Sequence, residues 1–250
     1  MINNLLHAKA EALDGAQHLN LKVKLPVTDW RVASRLNALF VAAAEFGDAC
    51  KEFPIVFIHA GVNEQNKPEV APVAVFGLAQ EENLFLDGPN WRGRYMPAVL
   101  QLYPFAIGRI DAQNFAICVD RAWPGVSEGE GEPLFDADGK PAALTKQVIE
   151  QCERTETEVQ RTRAVGQRLL ELELLREMRF DVTMPDNSTV SVDGFFTVDE
   201  QKLKALPDAT LVELSRTGLM GLIHAHLISM GNMRRLAEWR LERVAAAKAN

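Results

Sequence analysis

The sequence predicts an α+β fold: a mostly antiparallel sheet packed with helices, including a long central helix and a long C-terminal helix. Three observations carry that reading. Short apolar, β-branched runs bounded by turn residues fill the first half of the chain and fall into hairpin-like pairs. Residues 142–178 keep a helical apolar spacing among many charges. A second helical pattern follows Asp208. We read residues 1–250 as one domain, sub-divided near 125–140 into a strand-rich first half and a helix-rich second half.

Each element has a local reason. NLKVKL, Asn20–Leu25, alternates apolar and polar residues and reads as a strand ended by Pro26. Thr28 or Asp29 caps a short helix through Leu39, and AAAEFGDAC, Ala42–Cys50, gives another helical turn or two. PIVFIHAG, Pro54–Gly61, is a buried strand, NEQNKPE a turn, and APVAVFGLA, Ala71–Ala79, the partner strand. DGPN, Asp87–Asn90, is a turn. Pro97 starts a helix that stops at Tyr103, the residue before Pro104. FAIGRI and NFAICVD form an antiparallel hairpin around Asp111–Gln113.

GVSEGEGEP, Gly125–Pro133, is an acidic, glycine-rich loop. The long helix Ala142–Met178 follows, then RFDVTM and STVSVDGFFTV as a strand pair about a turn at Asp186–Asn187. Asp199 caps a short helix to Leu206, and Asp208 caps the last long helix. Gly218 and Gly221 leave room there for another backbone. The charged tail MRRLAEWRLERVAAAKAN is predicted to fray.

The composition is that of an ordinary globular chain, with 47% apolar and 24% charged residues. A net charge of −7 disfavours nucleic acid and anionic lipid as partners. The apolar run Gly218–Met230 is too short to span a bilayer, and the N-terminus has no signal-peptide pattern. The expected location is cytoplasmic, with signal-independent export to the cell surface as the alternative. Cys50, Cys118 and Cys152 form no metal or disulfide framework and read as buried, reduced thiols.

His224 and His226 lie about 200° apart on a helix and so cannot share one ion. A core or interface histidine fits better, and no metal site is expected. Asp136-Ala-Asp138-Gly139-Lys140 is a turn and not a calcium loop. Dinucleotide-binding, phosphate-binding-loop and serine-hydrolase motifs are absent from the sequence. No cofactor is expected, and the enzyme question leans to no.

The candidate site lies in ENLFLDGPNWRGRYMPAVLQLYPF, Glu82–Phe105, which holds both tyrosines of the chain. Asp87, Trp91, Arg92, Arg94 and Tyr95 are the candidate ligand-binding residues. Rings beside arginines can bind a sugar, a planar ligand or a carboxylate by stacking and forked hydrogen bonds. The architectural reading competes with this one: Phe85, Leu86, Trp91, Tyr95, Leu100, Tyr103 and Phe105 would seal one end of the sheet.

EFGDACKEFPIVF at 45–57, GLAQEENLFLDGPNW at 77–91 and YMPAVLQLYPF at 95–105 resemble the SapC family of bacterial proteins. So do LFDADGKP at 134–141, GFFTVDEQKL at 194–203 and the helix LSRTGLMGLIHAHLISM. This chain departs from the family at Gln101–Leu102, where the resemblance implies an arginine before Tyr-Pro-Phe. The family takes its name from a bacterial surface layer, and its members are encoded near outer-membrane nutrient receptors and tryptophan-halogenase-like flavoproteins. It brings no established catalytic residues. The resemblance implies a non-enzymatic accessory or ligand- and partner-binding protein, linked to nutrient uptake or surface-layer biology. The alternatives are a surface-layer structural protein, an enzyme of unrecognised type, or a partner of a halogenase-like flavoprotein. A homodimer or protein partner would dock through the Gly218–Met230 helix.

Overall fold

A computed structural model describes residues 1–249 except Glu64, Ala112, Gln113, Pro185, Asp186 and Ser188, with side chains through Ala246. In chain order the strands are β1 (Ala10–Ala12), β2 (Lys22–Val23), β3 (Ala38–Phe40), β4 (Ile55–Val62), β5 (Pro68–Val75), β6 (Leu86–Asp87) and β7 (Asn90–Trp91). Then come β8 (Phe105–Arg109), β9 (Phe115–Asp120), β10 (Val126–Ser127), β11 (Glu132–Pro133), β12 (Leu175–Thr183) and β13 (Thr189–Val198). The helices are α1 (Phe46–Ala49), α2 (Ala98–Gln101), α3 (Ala143–Glu171), α4 (Glu200–Lys204), α5 (Asp208–Arg216), α6 (Leu219–Ser229) and α7 (Asn232–Ala249). The fold is α+β with antiparallel sheets, a long central helix and a long C-terminal helical run.

The chain packs into two compact units whose segments alternate along the sequence. The first comprises residues 1–35, 86–91 and 98–157; the second comprises 36–85, 92–97 and 158–250. In the first unit, β1, β9 and β8 form one antiparallel sheet, and β2 pairs with both β10 and β11. Its core gathers Leu21, Val23, Leu102, Phe105, Val119, Leu134, Val148 and Cys152. The buried Asp120 carboxylate accepts the Tyr103 hydroxyl (3.0 Å) and the N–H groups of Lys9 (2.9 Å) and Ala122 (3.1 Å). The Asp136 carboxylate likewise closes the predicted turn, accepting from the N–H groups of Asp138 and Lys140.

The second unit is built on the five-stranded sheet β12-β13-β4-β5-β3. β13 and β4 meet at a single ladder pair, Phe196 with Phe57. The next rung of an antiparallel pairing would join Val198 to Ile55. His226 of α6 takes its place: Nδ1 donates to the Ile55 carbonyl (2.7 Å), and Nε2 accepts the Val198 N–H (3.1 Å). Ser229, one helical turn on, accepts the Ile55 N–H (2.9 Å). His226 is thus a fully buried structural histidine, while His224 is exposed.

Several expectations are corrected. Asp29 does cap, accepting the Arg31 N–H, but the 3-10 turn it starts spans only Trp30–Ala33. Residues 38–40 are strand β3, because pairing with Val73–Val75 at the sheet edge outweighs local helix preference. The central helix stops at Glu171 instead of Met178. Glu173 adopts φ +52°, the Leu174 N–H reaches the Leu169 carbonyl (3.0 Å), and the Glu173 N–H reaches Leu170 (2.9 Å). That is a Schellman ending closed by buried Leu169 and Leu174, reached here without the usual glycine. The helix expected from Asp208 onward breaks at Gly218, whose φ of +81° is left-handed. A Cβ at Gly218 or Gly221 would meet nothing within 4 Å, so no other backbone among the described residues uses that space.

The tail is docked rather than frayed through Arg243. Met233 and Leu236 are buried, Arg240 pairs with Glu82 (2.6 Å), and Arg243 donates to the Asn83 carbonyl (3.1 Å). Of the predicted turns, Asp186, Ala112, Gln113 and Glu64 lie outside the described residues. The flanking strands pair antiparallel in all three cases.

Candidate functional site

A ladder of rings leads from the core of the second unit to its surface. Phe53 packs against Phe85 (4.6 Å between centroids) and Phe76 (5.4 Å), and Phe85 meets Trp239 of α7 edge to face at 5.1 Å. Edge-to-face contact is the favoured geometry for such pairs. The Arg92 N–H donates to the Phe85 carbonyl (2.8 Å), which fixes Arg92 beside this ladder. Its guanidinium then lies over the Trp239 ring, 4.3 Å from the centroid. The negative face of the aromatic ring attracts the cation.

Beside this stack opens a cavity of about 530 Å³, lined by Asp48, Lys51, Glu52, Arg92, Arg94, Tyr95, Arg235 and Trp239. α1 and the turn after it supply the first three, the segment 92–97 the next three, and α7 the last two. α7 is locked onto that turn by its own polar side chains. Asn232 donates to the carbonyls of Cys50 (2.8 Å) and Phe53 (3.0 Å), and Arg235 to those of Lys51 (3.3 Å) and Glu52. These carbonyls end the helical turn and would otherwise lack partners.

The charges around the cavity are unequal. Four cationic side chains face two acidic ones, in a chain whose net charge is −7. Lys51 is paired with Asp48 (2.9 Å). Among the described residues, Arg92 and Arg94 have no carboxylate partner. The Tyr95 hydroxyl donates to Glu45 (2.7 Å); burial, with this carboxylate beside it, pushes the phenol well above its ordinary range. Tyr95 is therefore a neutral donor with its ring at the cavity wall.

Of the five residues singled out from the sequence, Arg92, Arg94 and Tyr95 come together here. Asp87 and Trp91 sit on the β6–β7 hairpin of the first unit and do not line this cavity. Sequence reasoning missed Trp239 and Arg235, because they lie in the tail expected to fray. A Trp in an otherwise charged tail is the one signal that could have found them. The architectural reading accounts for Phe85, Leu86, Leu100, Tyr103 and Phe105, all buried, whereas Trp91 and Tyr95 are half-buried.

Other groups are committed elsewhere. Burial raises the Cys118 thiol and pushes Cys152 up to about 11, so both stay protonated and unreactive at neutral pH. Among the described residues no three His, Cys, Asp or Glu side chains gather as a metal site, and no helix is long and apolar enough to cross a membrane.

Fold and site together define an α+β protein with an open, cationic, ring-walled cavity in its second unit. The chain belongs to the SapC family, whose model matches residues 13–236. No curated protein and no solved structure matches it.

Proposed function

We propose that this SapC-family chain is a non-enzymatic binding protein that holds a small anionic ligand in the cavity of its second unit. One observation carries the reading: Arg92, lying over the Trp239 ring, and Arg94 line the same cavity, and among the described residues neither has a carboxylate partner. Placing two guanidinium forks on one wall suits a carboxylate or phosphate, which accepts two parallel N–H bonds from each fork. The buried thiols and His226 are used in packing, which favours binding over catalysis. In the cell this is an accessory role in the cytoplasm, serving nutrient uptake or surface-layer biology as the family resemblance implies.

The test is a thermal-shift screen of aromatic acids, sugar acids and inorganic phosphate on wild-type protein and Arg94→Ala. Stabilisation by an anionic probe, lost in Arg94→Ala, supports the reading. Stabilisation that survives both Arg94→Ala and Arg92→Ala would place the ligand elsewhere.

A second reading is favoured by two exposed apolar side chains. Ile228 on α6 is 71% exposed and Val212 on α5 is 48% exposed, high values for large apolar side chains. This suits a homodimer through the Gly218–Met230 helix. Sedimentation of wild type and Ile228→Glu decides it: a dimer that the substitution dissolves supports the interface, and a wild-type monomer removes it.

A further inference from the structure

We infer that the ligand of this cavity is zwitterionic, carrying an ammonium group as well as the anionic group, on an apolar body of amino-acid to dipeptide size. The inference rests on the cavity reading above and adds the second charge. It follows from which lining groups are already committed. Asp48 and Lys51 neutralise each other at 2.9 Å. Arg235 donates to the carbonyls of Lys51 and Glu52 and to Asn232 Oδ1. Outside the lining, Glu45 accepts from the Tyr95 hydroxyl (2.7 Å) and the Ala42 N–H (2.8 Å). Three charges are left over: Arg92, Arg94 and Glu52.

Glu52 is the informative one. Its backbone is fixed at both ends, the N–H by Ala49 (3.0 Å) and the carbonyl by Arg235, so its side chain projects from a rigid point. The residue is half-buried, and among the described residues its carboxylate has no partner. A simple anion would enter against this charge, since like charges in a partly desolvated site repel. A ligand that also brings an ammonium turns the same carboxylate into an attraction. The guanidinium forks then take the anionic end, Glu52 the ammonium, and the Tyr95 ring with the outer face of Arg92 the apolar body. A volume of about 530 Å³ accommodates a molecule of that size.

Three matched probes separate the possibilities by calorimetric titration: 3-phenylpropionate (anion only), phenethylamine (cation only) and phenylalanine (both). Phenylalanine is expected to bind at least tenfold tighter than either of the others. Glu52→Gln should lower its affinity to the level of 3-phenylpropionate, and Arg94→Ala should weaken both carboxylate-bearing probes at least tenfold. Equal affinities for phenylalanine and 3-phenylpropionate, both weakened by Arg94→Ala, would overturn the zwitterion while leaving the cavity reading intact. If no probe binds at millimolar concentration, or if neither substitution changes an affinity, both fall. Circular dichroism of each variant confirms that it is folded before titration.

Discussion

The guanidinium of Arg92 lies 4.3 Å from the centre of the Trp239 ring, joining two residues 147 positions apart in the sequence. The two partners carry unequal shares of stability. Trp239 continues the packed ladder Phe53–Phe85, so Trp239→Ala should cost about 2 kcal/mol, below the range for a fully buried ring because it is half-exposed. Arg92→Ala removes only an exposed cation–π contact, about 0.5–1 kcal/mol. Urea unfolding midpoints check both values, and Arg92→Ala should affect anion binding far more than it affects stability.

His226 should make stability pH-dependent. Burial lowers its pKa from an ordinary 6.5 to about 4. Its Nε2 faces the Val198 N–H, so a proton there would set two donors against each other. The unfolded chain therefore binds the proton more readily than the native one between these values. Stability is fully present above pH 6.5 and falls as pH drops toward 4, by about 3 kcal/mol for this group alone. Burial also lowers His7, which acts with the same sign. Urea titrations at pH 7 and pH 4.5 measure the loss, and His226→Gln should flatten the part due to His226.

The sheet rung that His226 replaces gives a second test at neutral pH. His226→Ala leaves the Ile55 carbonyl and the Val198 N–H buried without the imidazole between them. A cost of about 3 kcal/mol is expected, combining lost packing with unsatisfied polar groups. Amide exchange should quicken at Val198 before it does in β5.

The Arg240–Glu82 pair anchors α7, with both side chains more than four-fifths buried. Arg240→Met alone should cost about 3 kcal/mol, because Glu82 is left charged and without its partner. Adding Glu82→Gln should restore part of that loss. A double-mutant cycle by chemical denaturation measures the coupling.

Two helical glycines should respond to alanine with opposite signs. At Gly166 of α3 a Cβ would lie 2.6 Å from the Val70 carbonyl oxygen of β5, so Gly166→Ala should destabilise. At Gly221 of α6 it would meet nothing within 4 Å, and Gly221→Ala should stabilise by about 0.5–1 kcal/mol through helix propensity. Thermal melts of the two variants settle both signs.

The hairpins and caps were legible in the sequence because their causes are local. Pairs such as Ile55–Val62 with Pro68–Val75 announce themselves by β-branched runs and turn residues, and Asp199 by its place before a helical pattern. What was hidden depends on distant partners. Residues 38–40 are a strand only because β5 offers an edge. The residues after Glu171 keep a helical spacing, yet a left-handed Glu173 turns the chain into β12. Arg92, Arg94 and Tyr95 could be read as neighbours because one short segment carries them. Asp87 and Trp91 adjoin them in sequence, but the chain passes from one unit to the other between Trp91 and Arg92. Trp239 joins the site through packing on Phe85, which no local pattern encodes.

The most direct test of the cavity as a binding site is a crystal structure of the protein soaked with 3-phenylpropionate. The account predicts the carboxylate within hydrogen-bonding distance of Arg92 or Arg94, with the phenyl ring against Tyr95. A ligand bound only at another surface, with the Arg92–Arg94 wall left to solvent at saturating concentration, would contradict it.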